Sequence, residues 1–76
     1  MEASSPAERR DLFCRAHGLT GREAEVLRHL ADGSDTRTVA HLMSISDLTV
    51  QDHLKAVFTK TLTSSRRELL AMSGGR

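Results

Sequence analysis

The stretch Asp47-Leu48-Thr49-Val50-Gln51-Asp52-His53-Leu54-Lys55-Ala56-Val57-Phe58-Thr59-Lys60-Thr61 decides how this chain folds. Val50, Leu54, Val57 and Phe58 recur at i, i+4, i+7 and i+8, which gathers them into one apolar stripe of a helix. Gln51, Asp52, Lys55 and Thr59 fall on the opposite side. Ser46 stands just before, where a hydroxyl can accept an N–H that the first helical turn leaves unpaired.

Working back toward the N-terminus, Ser44-Ile45 makes a tight connection to a shorter helix over about 36–43. Asp35 caps that helix, and Val39, Ala40, Leu42 and Met43 form its apolar side. A short helix, a tight turn and a longer polar-faced helix together describe a helix-turn-helix. Asp32-Gly33-Ser34 breaks the helix before it, which carries Val26, Leu27, Leu30 and Ala31 at helical spacing. Thr20-Gly21-Arg22-Glu23 opens it as a capping box, with hydroxyl and carboxylate each taking the other residue's N–H. Gly18 closes a first helix from Ala7 to about Ala16, on which Leu12, Phe13 and Ala16 are expected to face inward. Beyond Thr61, Ser65-Arg66-Arg67-Glu68 is a second capping box and starts a last helix with Leu69, Leu70 and Met72, over about 66–73.

No strand-like alternation persists along the chain. The expected fold is all-α: a compact helix-turn-helix bundle of four core helices plus a short N-terminal helix. Residues 1–17 read as a lead (flexible over 1–6) and the short helix, 18–73 as the domain, and 74–76 as a tail.

Composition narrows the function classes. With 76 residues and one cysteine, the chain holds one domain and no internal disulfide. Phe13 and Phe58 are the only aromatics, too few for a surface that stacks single-stranded bases. Residues 48–76 carry five basic and two acidic side chains, a net of +3, whereas residues 1–47 carry six arginines and eight acids, a net of −2. The C-terminal half is thus the better match to a phosphate backbone, with ordinary solvated charge as the competing reading. No apolar run could cross a membrane and the N-terminus lacks a secretory layout, so a soluble cytoplasmic protein is the default expectation.

His17, His29, His41 and His53 are evenly spaced but belong to separate helical segments, and Cys14-x-x-His17 is a single pair. No metal or other cofactor is expected. Cys14 reads as a small packing residue, not a nucleophile, and no enzyme activity is expected.

The chain strongly resembles the LuxR-type (NarL/FixJ-type) helix-turn-helix of bacterial transcription regulators. The resemblance rests on Leu19-Thr20-x-Arg22-Glu23-x-Glu25-Val26-Leu27, Gly33, Val39-Ala40, Met43, Ile45-Ser46, Thr49-Val50, His53-Leu54, Val57-Phe58, Lys60 and Ser65-Arg66-x-Glu68-Leu69, and it covers about residues 18–70. It implies that the helix over about 47–61 enters the DNA major groove and that Gln51, Asp52 and Lys55 face the bases. Their chemistry suits that place. Gln51 can bond adenine in a bidentate way, Lys55 can donate to guanine or phosphate, and Asp52 can accept from cytosine while repelling phosphate. A solvated helix face is the competing reading.

Ser46, Thr49, Lys60 and Arg66 are candidate phosphate contacts. Against them stand pure capping for Ser46 and an internal salt bridge for Arg66, with Glu23 as its candidate partner. Arg22 and Arg37 are weaker candidates. Val50 reads as core, with contact to a thymine methyl as the alternative. Members of the family usually bind double-stranded DNA as homodimers, often through the last helix, which makes Leu69, Leu70 and Met72 the expected dimer interface. The domain usually ends a longer protein, although some members consist of it alone.

Two other readings compete: a helical protein-interaction module that binds RNA polymerase or an anti-regulator, and the promoter-recognising end of a sigma factor. The chain departs from the family at Thr61-Leu62-Thr63, where Leu62 replaces the glycine that normally ends the groove helix. A branched side chain resists positive φ, so the helix is expected to run on or the turn to take another shape.

Overall fold

The structure, a computed structural model, describes residues 6–75; most of the expected lead, together with Arg76, lies outside the described residues. Five α-helices follow one another: α1 (Pro6–Ala16), α2 (Gly21–Ala31), α3 (Thr36–Met43), α4 (Asp47–Thr61) and α5 (Arg66–Leu70). A π-helical turn over Ala71–Gly75 continues α5. The described residues contain no strand. The last helix expected over 66–73 is therefore a short α-helix and a wider turn.

The side-chain caps form where the residue types place them. Thr20 and Glu23 make both halves of their box: Glu23 N–H donates to Thr20 Oγ1 at 3.2 Å and Thr20 N–H to Glu23 Oε1 at 2.9 Å. Asp35 Oδ1 accepts from Thr38 N–H at 2.8 Å, which holds the Asp35 carboxyl below its ordinary pKa. Ser65 completes only half of a box. Its hydroxyl accepts from Glu68 N–H, but the Glu68 carboxylate takes the Ser64 N–H at 2.9 Å instead of reaching Ser65.

α1 to α4 all end in the same closure, in which a left-handed residue lets its own N–H and that of the residue after it return to the last turn. Gly18, Gly33, Ser44 and Leu62 hold the positive φ. The following residue then donates across the turn: Leu19 to Cys14, Ser34 to His29, Ile45 to Ala40 and Thr63 to Phe58, at 2.9–3.1 Å. Two of these four positions are not glycine. Leu62 takes φ 57° and ψ 38°, so the expectation that its side chain would move the turn is corrected: the glycine-type conformation is kept. Buried threonines on both sides pin it. Thr61 Oγ1 donates to Val57 O at 2.8 Å and shares a 2.9 Å hydrogen bond with Thr63 Oγ1. The Leu62 side chain itself is 89% exposed, so no clash opposes the turn beyond the local one.

One core joins the helices. Val26, Leu27 and Leu30 of α2 meet Val39, Ala40 and Met43 of α3, Val50, Leu54 and Val57 of α4, and Leu69 of α5. α2 and α3 both pack on α4, and α1 lies against the π-helical turn. Full burial of one leucine such as Leu27 is worth about 1.5–3 kcal/mol, so these few residues dominate the stability of so small a domain.

Three expectations about burial are corrected: Leu42, expected on the apolar side of α3, is 54% exposed, and the other two concern α1 and α5. On α1 Cys14 is buried and Arg9, Arg10 and Phe13 are half-buried, with half-buried His17 just beyond the helix, while Leu12 is 58% exposed and Ala16 is exposed. α1 packs against both the distant terminal turn and α2, and the Phe13 and His17 rings meet at 4.4 Å. Burial, above all, raises the Cys14 pKa, as expected of a packing residue rather than a thiolate. On α5, Leu69, expected at a surface that pairs with a second copy, is fully buried in the core of the domain. Of the expected dimer residues, Leu70 is half-buried and Met72 is 52% exposed.

Candidate nucleic-acid interface

The turn over residues 44–46 presents α4. Ser44 reverses the chain with φ 57°, half-buried Ile45 packs against the core, and Ser46 begins the helix. Ser46 Oγ accepts from Thr49 N–H at 3.1 Å and shares a 2.9 Å hydrogen bond with Thr49 Oγ1. Both hydroxyls therefore sit at the N-terminus of α4, Ser46 exposed and Thr49 half-buried. The capping reading of Ser46 is realised, and its exposed oxygen stays next to helix N–H groups that suit an anion.

Val50, Leu54, Val57 and Thr61 bury one side of α4. Val50 has no exposed surface, which makes it core. The exposed side carries Gln51, Asp52 and Lys55, as expected, together with Thr59. Gln51, Asp52 and Lys55 make no side-chain hydrogen bond or ion pair with any described residue. Thr59 is held to the helix by its hydroxyl, which donates to Lys55 O at 3.0 Å. Three neighbouring polar groups of different hydrogen-bonding character are thus held on a rigid helix with nothing satisfying them inside the protein.

Leu48 also belongs to this face, 72% exposed in the first turn of α4. Residue typing passes over it because leucine reads as core. Its position three and four residues before Gln51 and Asp52 is the signal that places it outside.

The candidate phosphate residues divide. Lys60 turns inward: Nζ lies 2.7 Å from Glu23 Oε1 and 3.3 Å from Gly18 O. It occupies the place beside Glu23 that was an alternative for Arg66. Burial pushes the Glu23 carboxyl up, but the Lys60 ammonium and the Thr20 N–H together outweigh it and hold the group below its ordinary pKa. Arg66 is exposed and reaches Thr36 Oγ1 from Nη2 at 3.5 Å, a weak contact that leaves most of its donors open. Arg22 pairs with Glu25 at 3.5 Å on the surface, and Arg37 is exposed. No group of three or more metal-type ligands comes together among the described residues.

The model of the bacterial regulatory proteins of the luxR family matches residues 17–73. Over 69 residues the chain is 35% identical to the transcriptional regulatory protein DesR of Bacillus subtilis (strain 168), a match that covers 91% of this chain and 35% of that protein. The chain thus spans about a third of the length of this relative. No solved structure matches it.

Proposed function

This chain belongs to the luxR family of bacterial regulatory proteins, and we propose from that membership that it binds double-stranded DNA in a sequence-specific way to regulate transcription. The observation that carries the reading is the unsatisfied polar face of α4, presented by the Ser44–Ser46 turn. α4 enters the major groove, where each base pair shows a distinct pattern of donors and acceptors. Gln51 bonds adenine, Lys55 donates to guanine or to phosphate, and Asp52 accepts from the cytosine amino group and excludes sites that lack one.

Ser46 and Thr49, at the N-terminus of α4, and Arg66, at the start of α5, hold the backbone on either side and set the register. Lys60 contributes to the phosphate-facing surface only indirectly, since Glu23 already takes its charge. Two copies pair through α5 and the π-helical turn, with exposed Met72 and half-buried Leu70 at the contact and Leu69 as the internal anchor. The two groove helices then address half-sites about 34–36 Å apart. The protein acts in the cytoplasm, where its DNA is.

The test is binding across a salt series to DNA selected from a random library. A selected consensus, and a log–log salt slope of about −0.9 for each phosphate neutralised, are expected. Gln51→Ala and Asp52→Ala should change which sequence is preferred. Binding that ignores sequence at every salt concentration would sink the reading, and loss of DNA binding with retained capture of RNA polymerase would favour the interaction module.

A further inference from the structure

Leu48 stands in the middle of the groove-facing arc. At about 100° per residue, Leu48, Gln51, Asp52, Lys55 and Thr59 span roughly 100° of the helix circumference, and Leu48 lies nearer the centre of that arc than Gln51 does. The side chain is 72% exposed and stands apart from the core stripe of Val50, Leu54 and Val57. Nothing inside the protein uses its apolar surface.

Charge sharpens the point. The exposed residues of the first half of α4 are Asp47, Leu48, Gln51 and Asp52, with no cation before Lys55. On the Leu48 side of this half the carboxylates of Asp47 and Asp52 repel phosphate, which leaves the backbone to Ser46 and Thr49 at the helix end. Base edges are what remains open to the Leu48 side. The apolar group that the major groove displays is the C5-methyl of thymine.

We propose that Leu48 is a specificity-determining residue that reads a thymine methyl. The inference rests on the major-groove reading of α4. Four residues of helix rise about 6 Å, and successive base pairs are about 3.4 Å apart. The thymine read by Leu48 and the cytosine read by Asp52 therefore lie one or two base pairs apart in the preferred site.

The experiment takes the selected consensus and replaces each thymine in turn by deoxyuracil, which removes the methyl and leaves the base pairing intact. At one position per half-site the wild-type chain should bind about three- to fivefold more weakly, the worth of one buried methyl. Leu48→Ala should lose that difference at that position alone, and Leu48→Met should keep it. A thermal melt of each variant verifies folding. Equal binding of wild type to every deoxyuracil site, or discrimination that survives in Leu48→Ala, would overturn the inference while leaving the DNA-binding reading in place. Failure to select any sequence would overturn both.

Discussion

The Lys60 ammonium lies 2.7 Å from Glu23 Oε1, which ties the last turn of α4 to the first turn of α2. The same carboxylate caps α2 through the Thr20 N–H, so one buried group serves a helix end and a tertiary contact. Glu23 is 7% exposed, and Lys60→Ala leaves its charge with the cap alone. The expected cost is about 1–3 kcal/mol, read as a fall of at least ~4 °C in melting temperature. On the proposed reading, in which Glu23 takes the Lys60 charge, the salt slope of DNA binding should stay unchanged in the surviving folded protein.

Acid should reveal the same pair. The folded pKa of Glu23 lies below its ordinary 4.5, so the carboxylate contributes stability above pH 4.5 and loses it as pH falls through the folded value. Urea midpoints measured from pH 7 to pH 3 should drop in this window. Glu23→Gln should start lower and show a shallower drop, and parallel curves for the two proteins would contradict the assignment.

Leu62→Gly should stabilise the domain. A left-handed non-glycine residue costs ~1–2 kcal/mol, and glycine gives part of this back as extra freedom in the unfolded chain. With 89% of the side chain exposed, little packing is lost. A net gain of about 0.5–1 kcal/mol in urea unfolding is expected. Leu62→Val, branched at the β-carbon, should move the other way.

Ser46 allows capping and phosphate contact to be separated. Ser46→Ala removes the acceptor for the Thr49 N–H and should cost ~1 kcal/mol of stability. Ser46→Asp keeps the cap and adds a charge beside the N-terminus of α4. Near wild-type melting with weaker binding to every DNA sequence is the expected result. Unimpaired binding by Ser46→Asp would remove Ser46 from the phosphate-facing set.

The middle of the fold was legible because its local signals agree. For α3 and α4, cap, apolar spacing and turn chemistry all point to the same bounds, 36–43 and 47–61, and so does the exposure of Gln51, Asp52 and Lys55. Where the reading failed, the deciding partner is distant in sequence. On α1 residue type favours Leu12, Phe13 and Ala16 as the inward side, whereas the packed helix, which meets both α2 and the π-helical turn at the other end of the chain, buries Cys14. Glu23 has many cations available, and only the folded backbone brings Lys60 to it from 37 residues away. Leu62 misleads for another reason. Its own preference opposes the turn, while the hydroxyl pair of Thr61 and Thr63 on either side secures it.

α5 has only five residues, too few to remain helical alone in water. Leu69, sunk in the core, is what keeps it in place, so the outward surface around Leu70 and Met72 exists only while the domain is folded. If that surface holds a second copy, association and folding become one equilibrium subject to mass action. The melting temperature should then rise with protein concentration, and Met72→Ala should flatten that rise without lowering the melting temperature of the dilute monomer.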